Sequence, residues 1–132
     1  MRVVFDTNVL VSALLVPDSL PRKALDGALQ KGTVLLSYAV LSELYDVLSR
    51  KHFQKYVDED DIQAFVAALT REAEWVDADI RIVASRDAKD DKFLELAVGG
   101  RATHIVTGDS DLLVLHPFRG IAIISPATFL TT

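Results

Sequence analysis

With 132 residues, half of them hydrophobic, the chain has the size of one domain, 1–132, and enough apolar surface for a core without disulfides or a structural metal. It contains no Cys, which excludes thiolate metal sites and cysteine nucleophiles and fits a reducing, cytoplasmic setting. Its 14 basic and 19 acidic residues leave a net charge of −5, which taken alone argues against a nucleic-acid binder, unless acids and bases cluster apart; no secretion signal and no membrane-spanning run is expected.

The predicted elements alternate between short apolar strands and helices. RVVF (2–5) reads as a strand, followed by a helix from Asn8 to Val16 that Pro17 ends, with Asp6 to Asn8 in its opening turn. A second helix covers 20–32, with Pro21 in its first turn and Gly32 at its end. TVLLS (33–37) is a buried strand, and 38–50 a helix capped by Ser37. Residues 58–76 form a helix opened by acids that suit its dipole, with Ile62, Phe65, Val66, Leu69 and Ala73 on one face. DIRIV (79–83) is a short strand, 90–100 a helix, THIVT (103–107) a strand and 109–115 a helical turn. IAIIS (121–125) is a last strand, and 126–130 a closing helix. Strands that are apolar on both faces and separated by helices predict a three-layer α/β/α domain with a central, mainly parallel sheet.

Ligands of open α/β sheets bind beyond the carboxyl ends of the strands. Asp6 directly follows the first strand, and Asp109 follows THIVT by one Gly. Glu43 lies at the border of the apolar arc of its helix, beside Val47 and away from the solvated Ser42, Asp46 and Ser49. Asp91 begins a helix whose Leu94, Ala97 and Val98 face the sheet. Each acid has an ordinary explanation: Asp6 and Asp109 as helix caps, Glu43 as a surface residue, Asp90 or Asp91 as a dipole-favoured acid. Together they fall on one predicted rim. Two unit charges 4 Å apart repel by about 4 kcal/mol at an effective dielectric of 20, so four carboxylates there call for a counter-charge. All-oxygen ligands without Cys suit Mg²⁺ or Mn²⁺ rather than Zn²⁺, the metals of phosphate chemistry. Thr7, Asn8, Thr107 and Ser110 flank the acids as candidates for orienting ligands, water or phosphate.

These residues resemble a known family. VVFDTNVLVSALL, LSELYDVL, DAKDDKFLELA, HIVTGDSDLL and GIAIISPATFL occur in the order found in PIN-domain ribonucleases, specifically the toxin components of prokaryotic toxin–antitoxin pairs. The resemblance implies a PIN-like fold, one or two Mg²⁺ or Mn²⁺ ions, and endonucleolytic cleavage of RNA by metal-activated water, leaving a 5′-phosphate and a 3′-hydroxyl. It places the family's first, second and fourth acids on Asp6, Glu43 and Asp109. Its third falls on Asp91, three residues before Leu94, with Asp90 as the neighbour that can substitute and Asp87 a weaker choice. Asp111 is a further candidate ligand. Many relatives carry Pro where this chain has Ala88, which loosens the third assignment. The resemblance also implies a cognate antitoxin and a homodimer, with the surface around the 58–76 helix as a candidate interface.

Basic residues stand in groups at Arg22–Lys23, at Arg50, Lys51, His52 and Lys55, and at Arg86, Lys89 and Lys92. The last group flanks Asp91 and is the best candidate for phosphate contacts. His104 and His116 read as structural, and Trp75 as a core or interface residue. A phospho-acceptor domain of the response-regulator type also gathers acids at strand ends, but it needs a Lys after a late strand, which is missing here. The alternative within the family is a catalytically degenerate PIN domain that binds RNA or protein; four filled acid positions argue against it.

Overall fold

The computed structural model describes residues 1–132. Five parallel strands form one sheet in the order β3-β2-β1-β4-β5, with β1 (Arg2–Phe5) at its centre, β2 (Thr33–Leu36) and β3 (Glu74–Trp75) on one side, and β4 (His104–Val106) and β5 (Ala122–Ile124) on the other. The chain builds outward from β1 in one direction, then returns to build in the other. The reversal of strand order therefore lies between β1 and β4, where open α/β sheets open a crevice at their carboxyl ends. Val3, Val4, Phe5, Ile105 and Val106 are all but inaccessible, as a central parallel strand pair covered on both faces requires.

Helices follow each strand. α1 (Thr7–Leu15) and α2 (Leu20–Lys31) pack on each other, and the closing α7 (Pro126–Leu130) packs on α2. α3 (Tyr38–Leu48) and α5 (Asp91–Gly99) contact one another, and α5 lies against β1, β2 and β4. α4 (Glu59–Glu72) packs on α3, and the four-residue α6 (Ser110–Leu113) on β5. The caps follow local chemistry. Ser19, Ser37, Asp58 and Ser125 each accept a backbone N–H three residues on, and Pro21 and Pro126 occupy first-turn positions that need no donor. Gly100 ends α5 where a Cβ would stand 2.7 Å from Leu35 Cδ1. No helix is long and apolar enough to cross a membrane.

Two expectations fail on the β3 side of the sheet. The helix predicted to Val76 stops at Glu72, and after the capping Ala73 the residues Glu74 and Trp75 pair with β2 as the edge strand. Arg2 explains why it stays there: its guanidinium grips both carboxylate oxygens of Glu74 and donates through Nε to the Gly100 carbonyl at 2.9 Å. The segment 79–83 forms no strand. Its alternating Ile80 and Ile82 suggested one, but the Ile82 amide donates to the Glu95 side chain of α5 at 2.9 Å rather than to a neighbouring strand. Smaller differences lie at element ends, where Thr7 already belongs to α1 and α3 closes at Leu48.

Candidate metal and nuclease site

The site grows from the carboxyl ends of β1 and β4. Asp6 leaves β1 and caps α1, its Oδ1 accepting the Val9 amide at 2.8 Å. Its Oδ2 accepts the hydroxyl of Thr107, which leaves β4 and is fully buried. The Thr107 oxygen in turn accepts the Asp109 amide at 3.0 Å. One hydroxyl thus locks the two strand ends together. Burial pushes the Asp6 carboxyl above its ordinary range; the hydrogen bonds from Thr107 and Val9 oppose this, and the charge of Asp109 adds to it.

Asp109 caps α6, accepting the Asp111 amide at 2.9 Å, and Asp111 faces Arg86 at 3.4 Å. Asp90 ends the single 3₁₀ turn (Ala88–Asp90) that leads into α5. Carboxylate oxygens of Asp90, Asp109 and Asp111 lie within 4.8 Å of one another. Oδ2 of Asp90 is buried and has no hydrogen-bond partner. Burial, then the Asp109 carboxylate and the charges of Asp87 and Asp6, push the Asp90 carboxyl up to about 7.

Asp91 is differently employed. It is buried, and its Oδ1 accepts the amides of Ala84 and Ser85 at 3.2 and 2.8 Å, pinning the loop before α5. The Leu94 offset selected Asp91 as the third acid; the geometry brings Asp90 to the cluster instead. Adjacent side chains on a helical backbone point about 100° apart, so the two acids cannot face the same way, and the Asp91 carboxylate is taken up by the Ala84 and Ser85 amides.

Glu43 reaches the rim from α3 but is not in the aspartate triad. Its Oε1 accepts the Thr7 hydroxyl, and its Oε2 accepts the ammonium of Lys92. Lys92 also donates to the Lys89 carbonyl, so it faces inward rather than standing free for phosphate. Lys89 itself is exposed, as are Asn8 and Ser110. Asp6, Asn8, Ser12 and Asp109 line a cavity of ≈ 350 Å³. Lys89, Asp91 and Lys92 line another, of ≈ 470 Å³, against the 78–83 segment. His104 and His116 are engaged elsewhere: His116 Nδ1 accepts the Ile123 amide at 2.8 Å, and the His104 ring meets Phe129 edge-on. Trp75 is 46% exposed on the edge strand rather than in the core. The bonds from Thr107 to Asp6 and from Lys92 to Glu43 carry no sequence signal, because these partners lie 101 and 49 residues away.

A family model described as PIN domain matches residues 2–111. The uncharacterized protein MJ1680 of Methanocaldococcus jannaschii is 34% identical over 119 residues, covering 88% of this chain and 76% of that protein. Among solved structures, VapBC2 from Rickettsia felis, bound to a DNA fragment from their promoter, superimposes with a TM-score of 0.64 at 16% identity, covering 93% of this chain and 97% of that one. PAE2754 from Pyrobaculum aerophilum gives 0.61 at 13% identity, covering 99% and 88%. FitAcB from Neisseria gonorrhoeae gives 0.57 at 17% identity, covering 95% and 98%. These structures share the fold of this chain.

Proposed function

The chain belongs to the PIN-domain family, and on that premise we propose that it is a divalent-metal-dependent endoribonuclease, the toxin of a toxin–antitoxin pair. The observation that carries this reading is the meeting of Asp90, Asp109 and Asp111 with one buried carboxylate oxygen left without a partner. That donor set fits a hard cation: every ligand atom is a carboxylate oxygen, no thiol or imidazole competes, and the like charges repel until a counter-ion joins them. Asp90, Asp109 and Asp111 would hold it, with Asp6, outside that group, adding its negative charge nearby. When bound, the cation supplies Lewis-acid polarisation of the phosphodiester and a nucleophile at neutral pH.

The chain's own residues prepare that chemistry. Thr107 and the Val9 amide fix the Asp6 carboxylate, so its charge meets a cation without reorganisation. Asp90 holds a proton in competition with the cation, since its carboxyl titrates at about 7. In this reading Lys89, which is exposed, meets an RNA phosphate, and Asn8 and Ser12 offer polar groups in the cavity beside Asp109. The antitoxin is the partner in this reading, and the toxin works as a homodimer. The test is incubation of the purified protein with total RNA and Mg²⁺ or Mn²⁺, with and without EDTA, followed by mapping of the cut ends. Metal-dependent cuts ending in a 5′-phosphate are expected; intact RNA, or cleavage that EDTA leaves untouched, refutes the reading.

A further inference from the structure

We propose that the Lys92 ammonium is the built-in counter-cation of Glu43, so that Glu43 binds no metal and the site takes a single divalent ion. This rests on the metal-dependent reading above and adds to it a division of labour among the acids.

Both oxygens of Glu43 are already engaged, Oε1 by the Thr7 hydroxyl and Oε2 by Lys92 Nζ. The ammonium is held from three directions. Besides Glu43 it bonds the Lys89 carbonyl and lies 5.4 Å from the centroid of the Phe93 ring. The Lys92 side chain is only 19% exposed and that of Glu43 29%, so water screens this pair less than it screens a surface pair. A second divalent ion at Glu43 would have to expel a cation bound on several sides and then stand close to it. The three aspartates that converge on a common point do so without Glu43.

The pair also ties elements of the fold together. Thr7 opens α1, Glu43 lies on α3, and Lys92 lies in the first turn of α5, so one carboxylate ties three helices together. The bond from Lys92 to the Lys89 carbonyl closes the 3₁₀ turn that contains Asp90. Lys suits this place better than Arg, since a compact ammonium offers three donors to partners that do not share a plane.

The test counts Mn²⁺ bound by the full chain, from the loss of the free-ion electron paramagnetic resonance signal on titration, with circular dichroism to verify folding. The wild-type chain should bind one ion. E43Q/K92Q, which removes both charges and leaves the net charge unchanged, should still bind one, with an affinity within about threefold, short of the 10–100-fold loss typical when support of a ligand is removed. K92Q alone should gain a second, weaker ion at the freed Glu43 carboxylate. Two ions on the wild-type chain, which needs no variant to fold, would overturn the proposal, as would loss of the ion from the folded double variant. Either result leaves the nuclease reading standing. No Mn²⁺ uptake by the wild-type chain at millimolar metal would overturn both.

Discussion

Thr107 donates its hydroxyl to the Asp6 carboxylate and accepts the Asp109 amide at 3.0 Å, so a single buried oxygen couples the ends of β1 and β4. This coupling sits at the reversal of strand order, and it sets the relative placement of the two acids that the rest of the site is built around. Replacing Thr107 by Val keeps the shape but leaves the Asp6 oxygen and the Asp109 amide without their partner. T107V should lose about 1–3 kcal/mol of stability, the usual range for stranding a buried polar group. T107S, which keeps the hydroxyl, should recover most of it. Chemical denaturation of the three proteins checks this; equal stabilities would remove Thr107 from its bridging role.

Asp6 serves two ends, as a cap for α1 and as a charge at the rim. D6N keeps a good capping residue and removes a carboxylate that burial and Asp109 already disfavour. The metal-free variant should melt at or above the wild-type temperature while RNA cleavage is lost. A D6N protein that unfolds readily without metal would show that the cap outweighs the repulsion.

Adjacent aspartates should behave in opposite ways. D90N should stay folded and lose Mn²⁺ binding, because Asp90 meets the triad. D91A should instead lose about 1–3 kcal/mol of stability, because the amides of Ala84 and Ser85 lose a buried acceptor. Thermal melts with and without Mn²⁺ separate the two. Metal-induced stabilisation that survives in D90N but vanishes in a folded Asp91 variant would return the third position to Asp91.

The metal-free protein should also carry a pH signature. The folded Asp90 carboxyl titrates at about 7, above its ordinary 3.8, so the folded chain holds this proton more tightly than the unfolded one. Its contribution to stability is fully present below about pH 4 and is lost as the pH rises through about 7. D90N lacks that loss. In EDTA, the melting temperature of D90N relative to wild type should therefore climb between about pH 4 and 7. Parallel curves would contradict the shift.

The legibility of this site in the sequence follows the range of the forces involved. β1, β4 and the serine-capped helices announce themselves through local signals, namely apolar runs, caps and prolines, and the sheet's parallel character follows from their alternation. β3 does not, because two exposed residues at an edge have no periodicity to read; their pairing with β2 and the grip of Arg2 on Glu74 hold them there. Residues 79–83 mislead for the converse reason: their alternation is strand-like, but a Glu95 side chain satisfies the Ile82 amide. The choice between Asp90 and Asp91 turns on which of two adjacent carboxylates meets the amides of the 84–85 loop, which a helical offset does not reveal. The inward reach of Lys92, expected on the phosphate-facing rim, depends on a Glu 49 residues away.

The proposed role of the Asp90–Asp109–Asp111 cluster is cleavage of RNA with a bound divalent ion. The most direct measurement is the rate of cleavage of an end-labelled single-stranded RNA as Mn²⁺ is titrated, for the wild-type chain and for D109N. The wild-type rate should rise from zero to saturation with Mn²⁺ and collapse on addition of EDTA, while folded D109N stays inactive at every metal concentration. Cleavage that ignores Mn²⁺ and EDTA, or that persists in D109N, would contradict it.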